Sequence, residues 1–135
     1  MKQLLSKVSE FQKAFGQGVA VKPTNISSAK ATLRYELMKE ENNEYLQACE
    51  DDDLVGIADS LGDKLYVLCG TILEHGLQDK IEAIFNEIHE SNMSKLDENK
   101  KPLINGENGV LDSSKALGKV LKSDNFFEPN LAQFL

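Results

Sequence analysis

Cysteine is scarce in this chain, with only Cys49 and Cys69 among 135 residues. No disulfide framework can be built from them, and neither stands near a second cysteine or a histidine at zinc-ligand spacing. Each falls inside a predicted helix among apolar neighbours, where a free thiol packs as a small hydrophobe. Basic charge is also short: 15 Lys and Arg face 22 Asp and Glu, for a net charge of −7. That balance argues against a nucleic-acid polymer as partner, because such binding rests on basic surface that neutralises phosphates. No apolar run approaches the roughly 18–20 residues of a membrane span. The opening MKQLLSKVSEFQK alternates charge with apolar residues instead of forming a signal-peptide core. A soluble cytoplasmic protein is the expectation. Aromatic residues make up only 7% and tryptophan is missing, but the 41% hydrophobic content suffices for the core of one domain.

What the chain does have is helical periodicity. A first helix is predicted over residues 2–15, with Leu4, Leu5, Val8, Phe11 and Phe15 on one side and Gly16 as its stop. GQGVAVKPTNIS reads as a loop. Ser27 or Ser28 can cap a long second helix running to about Cys49. In the EDDD turn that follows, the aspartates suit the positive N-terminus of a third helix. Leu54, Ala58, Leu61, Leu65, Leu68 and Ile72 form the expected core stripe of that helix, which ends at Gly76. A fourth helix is expected from about Gln78 to Asn92, with Ile81, Ile84, Phe85 and Ile88 as its apolar face, and His75 is read as a helix C-terminal residue. Beyond Lys95, turn residues replace periodicity. Phe126, Phe127, Leu131, Phe134 and Leu135 nevertheless make this stretch too apolar for a solvated tail. The predicted fold is all-α: an antiparallel bundle of about four helices over residues 1–95, with an ordered, irregular C-terminal arm of the same domain over 96–135. Few aromatics and an acidic helix face leave the core incomplete, so self-association is expected to finish the bundle.

Five carboxylates stand out. Leu33 and Leu37 set a face of the second helix that Glu41, Glu44 and Ala48 continue, with Glu40 beside it. Asp59 and Asp63 repeat the arrangement on the third. Acidic residues on a helix are ordinarily a solvated face. These interrupt apolar stripes on two consecutive helices, where like charges four apart repel by roughly 0.2–0.5 kcal/mol per pair and burial without counter-charge costs far more. Divalent cations would remedy that. A dinuclear iron bundle would need Glu-x-x-His pairs, whereas His75 and His89 follow Ile72 and Asn86 at that spacing. An all-oxygen site suited to magnesium or manganese is the better match.

Arg34-x-x-Leu37-x-x-Glu40-Glu41-x-x-Glu44, followed by Ile57-Ala58-Asp59-Ser60-Leu61-Gly62-Asp63-Lys64-Leu65-Tyr66-Val67, resembles the EExxE…ExxD signature of the all-α nucleoside triphosphate pyrophosphohydrolases. These are the MazG-type and phosphoribosyl-ATP pyrophosphohydrolase-like proteins. His89-Glu90-Ser91-Asn92-Met93-Ser94-Lys95 and the ending Gly118-Lys119-Val120-Leu121-Lys122…Phe126…Pro129-Asn130-Leu131 are similar to the phosphoribosyl-ATP pyrophosphohydrolase-like branch. Two positions depart from the pattern. The second-motif glutamate would fall at position 60, where this chain has Ser60, and Asp59 is the residue placed to supply the missing carboxylate. Gln12 occupies a position where relatives are expected to have histidine, so no substrate contact is carried over to it.

The resemblance implies hydrolysis of a nucleoside triphosphate to the monophosphate and pyrophosphate. It assigns magnesium, or manganese, to Glu41, Glu44 and Asp63 with help from Asp59. Glu40 is the candidate to orient or deprotonate the attacking water, with a further ligand role as the alternative. Arg34 either pairs with acidic groups or reaches a phosphate, the structural ion pair being the favoured role. Asn92 and Lys95 become candidates for a base edge and a phosphate only through the resemblance, and Lys119 and Lys122 are weaker candidates for phosphate. A homodimer or homotetramer is implied. The competing expectation is a catalytically silent helical bundle that binds nucleotide or a protein partner, with Ser60 marking a degraded site.

Overall fold

Helix ends in this chain are set by residues that satisfy the otherwise unpaired backbone groups of a terminal turn. In the computed structural model, which describes residues 1–135, Ser27 Oγ accepts the Lys30 N–H and opens the helix Ser28–Glu50 (α2). Asp53 Oδ1 accepts the Val55 N–H at 3.0 Å and opens Leu54–Glu74 (α3). The preceding helix, Lys2–Ala14 (α1), and the following one, Ile81–Met93 (α4), complete the α-helical set. No strand forms; Ile104 and Val120 make one isolated antiparallel bridge.

Both α1 and α3 end in the same device. Gly16 has φ +68° and Gly76 φ +66°, and the residue after each glycine donates its N–H back into the last turn, Gln17 to Gln12 O at 2.7 Å and Leu77 to Ile72 O at 3.0 Å. Those are the reverse-turn bonds of a glycine-terminated helix. His75 is the C-cap of α3, as expected, and its Nδ1 lies 2.9 Å from the Thr24 carbonyl. The segment after α1 thus returns over the end of α3, where Ala20 N–H bonds Leu73 O at 2.9 Å and Thr24 N–H bonds His75 O at 3.0 Å.

Contacts divide the chain into two compact units, Met1–Ile81 and Glu82–Leu135. In the first, α2 and α3 form a hairpin and α1 packs on α3. The core is small: Leu5, Val8, Cys69, Ile72 and Leu73, with Val19, Leu77 and Ile81 against it. Burial holds the Cys69 thiol above its ordinary pKa, consistent with a packing cysteine.

The stripe read as the core of α3 does not serve that purpose within the chain. Ile72 is buried, but Leu54, Leu61, Leu65 and Leu68 are exposed, as is Ala58. Gly70 and Thr71 instead take the positions facing α1 and α2, through Gln12 and Arg34. Periodicity identifies an apolar face but not which neighbour covers it. Phe11 stacks on Phe15 and meets Tyr66 edge-on, with centroids 4.4 and 5.6 Å apart, yet all three rings remain partly exposed.

In the second unit α4 is followed by turns and a short 3-10 helix, Leu131–Phe134. Ser91 Oγ donates to Phe127 O at 2.8 Å, and Ser123 Oγ to Leu96 O at 2.8 Å, tying the arm to the end of α4. Phe85 and Ile88, expected on the packed face of α4, are exposed. Asn105 organises the loop that follows. It is 1% exposed, its Nδ2 is shared among the carbonyls of Asp112, Lys115 and Ala116, and its Oδ1 accepts the Asp112 N–H at 2.7 Å.

Candidate active site

The turn at Asp51–Asp53 folds α3 back along α2, and close approach follows from small residues. A Cβ on Gly56 would stand 3.1 Å from Ala48 Cβ and 2.8 Å from Asp53 Oδ2. One to two turns further along, the two acidic motifs face one another. Glu41 is the centre of the group: it is half-buried, and its carboxyl is held above the ordinary glutamate range. Loss of solvent is the largest cause, followed by the negative charges of Glu44, Asp63, Glu40 and Asp59. All five residues named from the sequence therefore share one electrostatic neighbourhood.

Glu41 Oε2 is buried and accepts no hydrogen bond. A buried carboxylate oxygen without a donor costs on the order of 1–3 kcal/mol or more, a cost that a hydrogen-bond donor, a proton or a cation would relieve. Its four acidic neighbours are exposed, and no three side chains converge into a metal-binding cluster. Glu40 and Glu44 border an open cleft of about 360 Å³ with Glu36, Lys39 and Asn43. Ser60, at the expected glutamate position, is 1% exposed, and its Oγ donates to Ile57 O at 3.2 Å.

The Glu41 shift has a pH consequence. A carboxyl whose folded-state pKa lies above its unfolded value favours folding when protonated, so the metal-free protein should gain stability as pH falls toward the ordinary glutamate pKa of about 4.3. That gain is lost as pH rises through the raised folded value. Melting profiles of the parent and Glu41→Gln in chelator should diverge with rising pH, with the parent falling below the variant. Parallel profiles would contradict the assignment.

The basic candidates are placed differently. Arg34 is buried at 7% exposure and spends its donors on α3: Nε to Thr71 Oγ1 at 3.0 Å and Nη2 to Val67 O at 2.6 Å. Burial lowers its pKa, opposed by the charge of Glu74. Asn92 and Lys95 pair with each other, Lys95 Nζ donating to Asn92 Oδ1. Lys122 bonds Glu128 Oε1 at 2.7 Å and lies 3.9 Å from the Phe126 ring centroid. Lys119 is exposed. These four belong to the second unit. His89, also in that unit, is exposed.

Sequence reading missed the polar joint inside the first unit. Gln12 is 1% exposed and donates through Nε2 to Gly70 O at 3.1 Å. The available signal was Gly70 itself, since glycine within a helix costs about 1 kcal/mol relative to alanine and needs a reason.

An all-helical chain whose central hairpin sets an EExxE motif on one helix beside a DxxxD motif on the next falls among the all-α, MazG-like nucleoside triphosphate pyrophosphohydrolases. Within them, the model of the phosphoribosyl-ATP pyrophosphohydrolase family matches residues 8–92, and the chain belongs to this family. The match spans α1 to α4 and includes the whole acidic hairpin, Arg34 and Asn92, while Lys95, Lys119 and Lys122 lie beyond it. No curated protein matches the chain. Membership makes the protein a pyrophosphohydrolase by family, with a nucleotide as the implied substrate. No helix is long and apolar enough to cross a membrane.

Proposed function

We propose that the protein hydrolyses a nucleoside or deoxynucleoside triphosphate to the monophosphate and pyrophosphate with magnesium, or manganese, as its metal, in a house-cleaning or nucleotide-pool role. The observation that carries this reading is the unpartnered, buried Glu41 Oε2 among four further carboxylates. An all-oxygen donor set suits a hard divalent cation. Glu41, Glu44 and Asp63 would hold it, with Asp59 in place of the glutamate that Ser60 lacks. When bound, such a cation offsets the charge of the triphosphate and polarises the attacked phosphorus.

The protein's own groups supply the rest. Glu40, exposed beside Glu44 in the open cleft, takes the water proton as the oxygen attacks. Asn92, Lys95, Lys119 and Lys122 are the proposed contacts to the nucleotide. Arg34 is bonded to α3, which favours the structural role over a phosphate contact.

Pyrophosphate release from a panel of nucleotides that includes phosphoribosyl-ATP, with magnesium and with chelator, tests the reading and identifies the base and sugar. Millimolar magnesium or manganese should also raise the melting temperature, because a ligand that binds only the folded state shifts the equilibrium. Calcium is expected to bind without supporting turnover. Melting unchanged by magnesium, with and without a non-hydrolysable nucleotide, would favour the silent nucleotide-binding or partner-binding bundle instead.

The exposed α3 stripe and the Phe11, Phe15 and Tyr66 cluster support self-association as a dimer or tetramer, since exposed apolar faces are where subunits meet. Light scattering at micromolar concentration should return a multiple of 15.0 kDa. The monomer mass would refute it.

A further inference from the structure

We infer that Arg34 is a positioning residue of the acidic site: its guanidinium fork, admitted by Gly70, holds α2 and α3 at the spacing the cation needs. The inference rests on the metal-dependent reading above.

The two helices carry negative charge on facing sides where Glu41 and Glu44 meet Asp59 and Asp63, and like charge opposes their close approach there. At one end the Asp51–Asp53 turn and the Ala48–Gly56 approach hold it. At the other end, beyond the acidic stretch, polar side-chain bonds between α2 and α3 come from Arg34, to Thr71 Oγ1 and Val67 O. Val67 lies one helical turn after Asp63, and Arg34 two turns before Glu41 on the same face. Thr71 Oγ1 itself donates to Val67 O at 2.9 Å, which fixes the acceptor that receives Nε.

Gly70 is what lets the fork lie flat on α3. A Cβ at that position would stand 2.6 Å from Arg34 Nη2 and 3.1 Å from Gln12 Nε2. The planar fork matters because two donors in fixed relation set both the distance and the rotation of α2, whereas a lysine ammonium sets neither. The charge that acts on Arg34 is Glu74's, which Lys30 also approaches at 3.6 Å. Its influence on the acidic site is therefore one of geometry.

Manganese binding followed by electron paramagnetic resonance, without substrate, tests this on the full-length protein. Arg34→Lys and Gly70→Ala should each weaken manganese affinity by about 10–100-fold, the range for groups that orient metal ligands, under conditions where circular dichroism shows full helicity. Thr71→Val, which removes one acceptor without changing side-chain shape, should weaken it by less and keeps the test alive should the other variants fail to fold. With saturating metal, kcat in Arg34→Lys should recover toward the parent value while the metal requirement stays raised. If the parent binds manganese and folded Arg34→Lys, Gly70→Ala and Thr71→Val bind it equally tightly, the positioning role is overturned while the metal site stands. A parent that binds no manganese overturns both.

Discussion

Glu41→Gln is expected to reduce turnover by more than about 100-fold, the upper range for groups one shell removed from a metal, and to leave the metal-free fold as stable or more stable. The direction of the stability change follows from the environment. Glu41 has a buried oxygen without a donor and four acidic neighbours that raise its pKa, so a neutral amide of the same shape relieves both desolvation and repulsion. A residue whose loss raises stability and removes activity is held in place by function and not by packing. Steady-state kinetics and melting in chelator read the two effects separately. Loss of folding in Glu41→Gln would instead make the carboxylate a structural partner. Asp59→Asn belongs in the same series and should lower activity, with Ser60→Ala nearly neutral, because only the first removes a charged ligand candidate. Full activity of Asp59→Asn at limiting magnesium would leave Glu41, Glu44 and Asp63 as the sufficient set.

Gly76→Ala should be the most damaging single methyl in the first unit. Gly76 has φ +66°, a conformation costing an L-residue roughly 1–2 kcal/mol. An added Cβ would stand 2.0 Å from the Lys22 carbonyl oxygen. Backbone must move to make room, and that backbone is the segment bonded to Leu73 and His75 at the end of α3. Destabilisation above about 2 kcal/mol is expected, enough to lower the melting temperature by roughly 6–12 °C in a domain of this size. Gly16→Ala provides the control. Its φ is +68°, but no atom lies within 4 Å of the added Cβ, so it should show the conformational cost alone. Equal losses in the two variants would mean that the Lys22 contact contributes nothing.

Local rules carried the sequence a long way. Ser27, Asp53, Gly16 and Gly76 mark their helix ends through short-range hydrogen bonds and a left-handed backbone, and these depend on neighbours within a few residues. The acidic motifs were legible for the same reason, since spacings of three and four put Glu41 with Glu44 on one side of α2 and the short Asp51–Asp53 turn obliges α3 to return alongside it. The family followed from those motifs. What periodicity could not decide was the identity of the covering surface. The Leu61, Leu65 and Leu68 face reads as core in any count of apolar spacing, yet it is exposed; Gly70 and Thr71 sit against Gln12 and Arg34 instead. The same limit applied to Arg34, whose charge suggested a phosphate or an acidic partner and whose donors go to a carbonyl and a hydroxyl on α3. Side-chain type and spacing along the chain determined the helices and their acidic face. Which long-range partners meet across the hairpin was decided by the tertiary structure alone, because that depends on the distance between backbones, which spacing along a single helix does not specify.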